Sequence, residues 1–416
     1  MDKQKNASYN GKNYKQTELG NMPYVWEIYK LKEISNEITE RAGNREFETL
    51  SISAGIGFVN QAGKFGKELS GKQYEKYTVL QKGDFSYNKG NSKTYPQGCI
   101  YKLNDRECAA VPNVFESFRL NKGNPDFFEQ LFLSGFLNKQ LFRKINHGVR
   151  DDGLLNLKSE DFYDVFIVFP PLEEQQKIAE ILLAQDKVIE LKEKLIAEKQ
   201  RQKKYLMQQL LTGKLRLKGF GGKWVKRAFT DFSDVFIGLT HTPKYVDYGI
   251  PFLSVKNLNK GKLDLSDVKY ISLEEFSSIT DSSKPKKGDV VFGRVGTLGE
   301  PVIFEEDREC AIFVSLGFAR PKEGVLNKFV YYLLQSDEFY HYLDIKIAGS
   351  SQKNLNTGWL NEFYFFMPDI EEQTAIAEIL STADKEIDLL KKELEQEKQK
   401  KKALMQLLLT GIVRVK

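Results

Sequence analysis

No stretch of about 18 consecutive apolar residues occurs in this 416-residue chain, so no membrane-spanning helix is readable. Met1 to Leu19 is rich in Lys, Asn, Gln and Tyr and has no apolar centre, so no secretory signal is readable either. These absences predict a cytoplasmic protein with a flexible polar leader over residues 1–20. The three cysteines, Cys99, Cys108 and Cys310, show no C-x-x-C spacing, which argues against a zinc site or disulfide framework and predicts three buried thiols. The three histidines, His147, His241 and His341, lack metal-ligand spacing.

Catalytic motifs are missing as well. The glycine clusters at Gly55-Ile56-Gly57 and Gly293 to Gly299 lack the G-x-G-x-x-G spacing and read as strand ends or turns. Gly213-Lys214 has neither the upstream Gly nor the following Ser/Thr of a P-loop. Phe169-Pro170-Pro171-Leu172 lacks the amide and the aromatic that a base-flipping adenine methyltransferase would carry around its Pro-Pro. No chemistry is expected of this chain itself. The net charge of +5, from 62 basic and 57 acidic residues, permits nucleic-acid binding without requiring it.

What the sequence does have is a repeat. Pro170 to Leu217 slides by 198 residues, without a gap, onto Pro368 to Val415, with 24 identities in 48 positions. Glu173-Glu174-Gln175 returns as Glu371-Glu372-Gln373, and Leu206-Met207-Gln208 returns as Leu404-Met405-Gln406. Both copies predict one long helix of about 38 residues, roughly 55 to 60 Å. Apolar or small residues at Ile376, Leu380, Ala383, Ile387, Leu390, Leu394, Leu404 and Leu408 step by fours and threes, with Glu397 and Lys401 polar in that frame. The frame of the first copy is weaker, with Gln185, Lys192, Lys199 and Lys203 in it, so the two copies are expected to pair with each other. Asp369 stands at capping-box spacing before Glu372, Pro170-Pro171 suits an N-terminal turn, and Gly213 and Gly411 suit left-handed C-terminal caps.

Each helix follows a globular segment. The first shows strand-like runs near Leu50 to Ile56, Tyr77 to Leu80, Gly98 to Lys102 and Val165 to Phe169, and a helical stretch over Pro125 to Asn146. The second repeats its landmarks: Trp26 answers to Trp224, Lys82-Gly83-Asp84 to Lys287-Gly288-Asp289, and Arg106-Glu107-Cys108-Ala109 to Arg308-Glu309-Cys310-Ala311. Identity between the landmarks collapses. A kept frame with diverged heads indicates two related domains that hold different things.

The pattern resembles the specificity subunits of type I restriction-modification systems. It rests on Pro-Pro-Leu-Glu-Glu-Gln at 170–175, Met-Pro-Asp-Ile-Glu-Glu-Gln at 367–373, the two Leu-Met-Gln and Leu-Leu-Thr-Gly helix ends, and Lys-Gly-Asp-Phe-Ser-Tyr-Asn-Lys at 82–89. The resemblance implies an α+β chain: target-recognition domain 1 (21–169), a central long helix (170–217), target-recognition domain 2 (218–366) and a C-terminal long helix (367–416). The helices would pair as an antiparallel coiled coil, giving a pseudo-two-fold internal repeat. It also implies double-stranded DNA as ligand, with each head reading half of an asymmetric site. Two modification (methyltransferase) subunits and restriction subunits would be partners, with S-adenosylmethionine, ATP and magnesium held on those partners. Two other readings stay open at this stage: a duplicated coiled-coil scaffold that binds only proteins, and the recognition subunit of a fused methyltransferase-nuclease system.

Candidate DNA readers are the polar loops after the Lys-Gly-Asp turns and before the helices. Tyr87, Asn88, Lys89, Lys93 and Arg150 in the first head offer a ring for stacking, an amide for adenine and cations for guanine or phosphate. Lys256, Asn257, Arg294, Gln352 and Lys353 play the same parts in the second. Lys-Gly-Asp itself reads as structural. Partner docking is expected at Ile181, Val188 and Leu191, with Leu206, Met207, Leu404 and Met405.

Overall fold

The computed structural model describes residues 13–65, 71–90, 94–145, 154–259, 261–296, 298–348 and 354–415. The chain forms two compact units, Met1–Lys192 with Glu393–Lys416, and Glu193–Lys392.

The first unit is built on a four-stranded antiparallel sheet in the order Ser35–Glu37, Glu116–Leu120, Phe85–Asn88, Cys99–Lys102. Alternation along these strands sends Phe85 and Phe118 to one face, where they stack at 5.3 Å and meet Phe132 edge-on. Phe132 belongs to helix Pro125–Leu133, which Asn124 caps by accepting the Asp126 and Phe127 N–H groups. The helical stretch expected over Pro125 to Asn146 is two helices, Pro125–Leu133 and Asn138–Lys144. The break falls at Gly135, whose φ of 75° no helix can continue.

The second unit repeats this plan. Its sheet runs Ser233–Ile237, Leu316–Pro321, Val290–Gly293, Gly299–Ile303, backed by helix Asn327–Leu333. In each unit the strand that leads into the long helix returns to pair with a strand near the start of the head: Phe166–Phe169 with Glu27–Lys30, and Tyr364–Met367 with Val225–Ala228.

The long helices are Leu172–Leu210 and Ile370–Leu408, 39 residues each. Asp369 caps the second by accepting the Glu372 N–H at 2.9 Å. Gly213 (φ 68°) and Gly411 (φ 71°) follow the helix ends in the left-handed conformation. In the first unit Gln185 donates to Glu397 at 2.7 Å, Lys192 pairs with Glu393 at 2.7 Å and Lys401 with Asp186 at 2.5 Å. In the second unit Lys199 pairs with Glu386 and Lys203 with Asp384, both at 2.6 Å. Within each unit the pairing runs antiparallel: Asp186 meets Lys401 but Lys192 meets Glu393, and Lys199 meets Glu386 but Lys203 meets Asp384. The polar residues that weaken the apolar frame of the first copy are therefore matched by acids of the second.

Ile178, Leu182, Ile376 and Leu380 are buried in the heads' own cores, so each head is welded to a helix start. Among the described residues no helix is long and apolar enough to cross a membrane. One cysteine expectation is corrected: Cys99 and Cys310 are buried, but Cys108 is exposed, because it opens a strand at the sheet margin.

Candidate nucleic-acid interface

The Glu-Glu-Gln motif fixes each head on its helix. Trp26 donates its indole N–H to Glu174 at 2.9 Å, and Arg414 forks onto the same carboxylate at 2.5 and 2.7 Å. In the second unit Trp224 donates to Glu372 at 2.9 Å and Arg216 forks onto it, both contacts at 2.8 Å. Gln175 donates to the Pro170 carbonyl and accepts the Asn124 N–H; Gln373 donates to the Pro368 carbonyl and accepts the Leu326 N–H. Each motif thus ties a long helix to the helix behind the sheet.

The Lys-Gly-Asp turns serve a scaffold role too. Asp84 accepts the Gln81 N–H and a two-toothed contact from Arg119; Asp289 accepts the Lys286 N–H and the same fork from Arg320. These buried carboxylates hold the sheet at the strand that leads toward the candidate reading loop.

The candidate readers separate into groups. Lys93, Arg150, Gln352 and Lys353 lie outside the described residues. Tyr87 is corrected: it is fully buried, stacks on Phe162 at 4.6 Å and donates its hydroxyl to the Gln97 carbonyl, so no face is left for a base. Asn257 is corrected likewise. Its oxygen accepts the Ser254 N–H and its amide donates to the Asp264 and Asp267 carbonyls, which uses it to shape a turn. Asn88 is half-buried and accepts the Gly90 N–H at 2.8 Å. Lys256, beside Asn257, is exposed.

Lys89 and Arg294 occupy the same place in the two folds. Each carbonyl accepts the N–H of a matching leucine, Leu155 or Leu355, at 2.8 Å, just beyond the equivalent strands Phe85–Asn88 and Val290–Gly293. Their charge environments differ. Lys89 forms an ion pair with Glu116, both side chains mostly buried. Glu116 sits opposite Tyr87 in the ladder, and the residue in its place in the second unit, opposite Phe292, is Gly317. A Cβ there would come within 2.9 Å of the Arg294 side chain. Arg294 instead donates to the carbonyls of Leu355 (3.2 Å) and Val314 (3.0 Å), with no carboxylate partner among the described residues, and burial lowers its pKa.

Of the docking candidates, Ile181, Val188 and Leu191 are exposed on the first long helix. Leu206 and Met207 are partly buried against the core of the second unit, and Leu404 and Met405 against that of the first, so each of these four is shared between the chain's own core and its surface. The sequence reading passed over Tyr248, 91% exposed in the second head, and Ile56, 74% exposed at the turn between strands Leu50–Ser53 and Gly57–Asn60. The turn glycines Gly55 and Gly57 were the available signal for the second. Among the described residues no cluster of His, Cys, Asp and Glu could hold a metal ion.

Comparison with known proteins gives this architecture its family. The model of the type I restriction modification DNA specificity domain matches twice, at residues 20–199 and 222–399. The type I restriction enzyme MjaVIII specificity subunit of Methanocaldococcus jannaschii is 29% identical over 302 residues, 69% of this chain and 70% of that one. The EcoKI specificity subunit of Escherichia coli K12 is 23% identical over 200 residues, 46% of this chain and 42% of its own. Among solved structures, a chain from a study of complex assembly in the type I R-M system superposes with a TM-score of 0.60 at 18% identity, covering 94% of this chain and 99% of that one. The S subunit of a type I system from M. genitalium gives 0.54 at 13% identity, covering 92% and 96%. Both structural likenesses speak to the fold. With the family domain present twice and spanning most of its length, the chain belongs to the type I restriction-modification DNA specificity family, as a non-catalytic subunit.

Proposed function

We propose that this chain reads a two-part, asymmetric DNA site, one half with residues 21–169 and the other with residues 218–366, and directs partner subunits to it. The observation that carries the reading is the kept frame with changed contents: equivalent strands end in a paired Lys89–Glu116 in one head and in Arg294 over Gly317 in the other. Heads that present different polar groups from one scaffold suit different half-sites. The long helices, as an antiparallel coiled coil with a pseudo-two-fold internal repeat, act as the spacer between heads, much as dimer geometry sets half-site spacing in helix-turn-helix proteins.

Exposed Ile181, Val188 and Leu191 suit docking of modification subunits, two per chain in this reading. Restriction subunits then join for cleavage. S-adenosylmethionine, ATP and magnesium act on those partners, in the cytoplasm. The test is to co-express the chain with the products of its neighbouring genes and map methylated adenines by single-molecule sequencing. A bipartite asymmetric motif that disappears on deletion of this gene is expected. A palindrome, a continuous motif, or a motif that survives the deletion contradicts the proposal.

A further inference from the structure

Within the first unit a groove of about 1020 Å³ runs between the head and the C-terminal part of the second long helix. Its wall carries five cations, Lys139 and Arg143 from helix Asn138–Lys144 and Lys398, Lys401 and Lys402 from the long helix, against one carboxylate, Glu18. Lys401 is paired with Asp186. Lys139, Arg143 and Lys402 are exposed and have no acidic partner among the described residues. On its head side the groove reaches Tyr95, Tyr101 and the Gly55 turn.

The second unit holds the same place in a different state. Lys402, Met405 and Gln406 correspond, 198 residues earlier, to Lys204, Met207 and Gln208. The head side is matched by Ser134 and Ser336, each donating its hydroxyl to the carbonyl three residues back. One residue further on, Gly135 answers to Asp337. Asp337 pairs with Lys204 at 3.2 Å and accepts from Gln208 at 3.5 Å; with Tyr340 it reduces the space to about 170 Å³. The second unit therefore supplies its own anion to the lysine. At the matching position the first unit supplies none, because Gly135 has no side chain and holds a φ of 75°, a conformation that disfavours any other residue.

We propose that the groove of the first unit holds the phosphate backbone of duplex DNA, so that the two halves grip the duplex unequally. The inference rests on the DNA-reading function above. Lys139, Arg143 and Lys402, exposed on one concave wall and without an acidic partner among the described residues, concentrate positive potential there, and the wall is continuous with the head of that unit. Phosphate contacts of this kind position a duplex without selecting sequence.

The test uses the full-length chain and a fluorescein-labelled mixed-sequence duplex of about 40 base pairs, with binding followed by anisotropy across roughly 50 to 300 mM salt. Lys402→Gln and Arg143→Gln are each expected to lower the slope of log affinity against log salt by about 0.9, and the double variant by about 1.8. Lys204→Gln is expected to change the slope little, its charge being already neutralised by Asp337. Circular dichroism shows whether each variant is folded, and Lys139→Gln supplies an independent arm if one is not. Unchanged slopes in the folded groove variants overturn the proposal, as does an equal loss in Lys204→Gln. Unchanged slopes with loss of a co-expressed protein partner would assign the groove to an acidic protein surface and overturn it too. The methylation map separates the two claims: a bipartite motif present while the slopes stay unchanged sinks the groove alone.

Discussion

Trp26 donates its indole N–H to Glu174 across 148 residues of sequence, and Trp224 donates to Glu372 across another 148. Each carboxylate is nearly buried and also holds an arginine from the tail of a long helix or just beyond it. Removing the acceptor strands a buried indole N–H and frees an arginine. Glu174→Ala is expected to lower stability by about 2–4 kcal/mol, and Glu174→Gln by less, since an amide oxygen still accepts from Trp26. Urea unfolding of the full-length chain measures this; a loss below about 1 kcal/mol for the alanine variant contradicts the anchoring role.

The paired and unpaired cations of the two heads differ in what they stabilise. Lys89→Met leaves Glu116 mostly buried with Ser159 as its remaining side-chain donor, and should cost about 2–4 kcal/mol. Adding Glu116→Gln should restore part of that. Arg294→Met abandons two carbonyls and no carboxylate, so its cost should be nearer 1–2 kcal/mol. Equal losses in thermal or urea unfolding would mean that Arg294 has an acidic partner after all.

Thiol reactivity should separate the matched pair Cys108 and Cys310. Cys310 is buried and its pKa is pushed up to about 11, mainly by burial, whereas Cys108 is exposed. At pH 8 in the folded chain, maleimide should label Cys108 rapidly and Cys310 only on unfolding. Peptide mapping by mass spectrometry reads the order; rapid labelling of Cys310 would refute its burial.

Hydrogen bonding from Lys30 and then Lys32 holds the Asp164 carboxyl down at about 2. Because the folded pKa lies below the ordinary value of about 3.9, the contribution is complete above that value and disappears as pH falls through about 2. Asp164 and Lys30 are about one-third exposed and Lys32 more than half, so solvent screening keeps the effect small. Asp164→Asn should flatten the urea midpoint over that acid window and leave its pH dependence near neutrality unchanged.

The frame was legible because duplication compares the chain with itself. Repeated Glu174/Glu372 and Trp26/Trp224 marked positions whose partners lie far away in sequence, although their pairing emerged only from the fold. The polar breaks at Lys192, Lys199 and Lys203 look like defects in one helix and become intelligible once the acids of the other face them. Site residues were less legible. Tyr87 has the composition of a base-stacking residue, yet strand alternation turns it into the core, and Asn257 is indistinguishable in sequence from a free amide until its turn closes around it. The groove cations Lys139 and Arg143 lie over 250 residues from Lys402, and no local pattern connects them.

The central claim is that each head reads its own half of the DNA site. It is tested most directly by replacing residues 218–366 with the corresponding segment of a relative of different specificity and mapping methylated adenines by single-molecule sequencing. The expected motif keeps one half-site and the spacer as they were and changes the other half-site. A motif altered in both halves, or altered in neither, would contradict it.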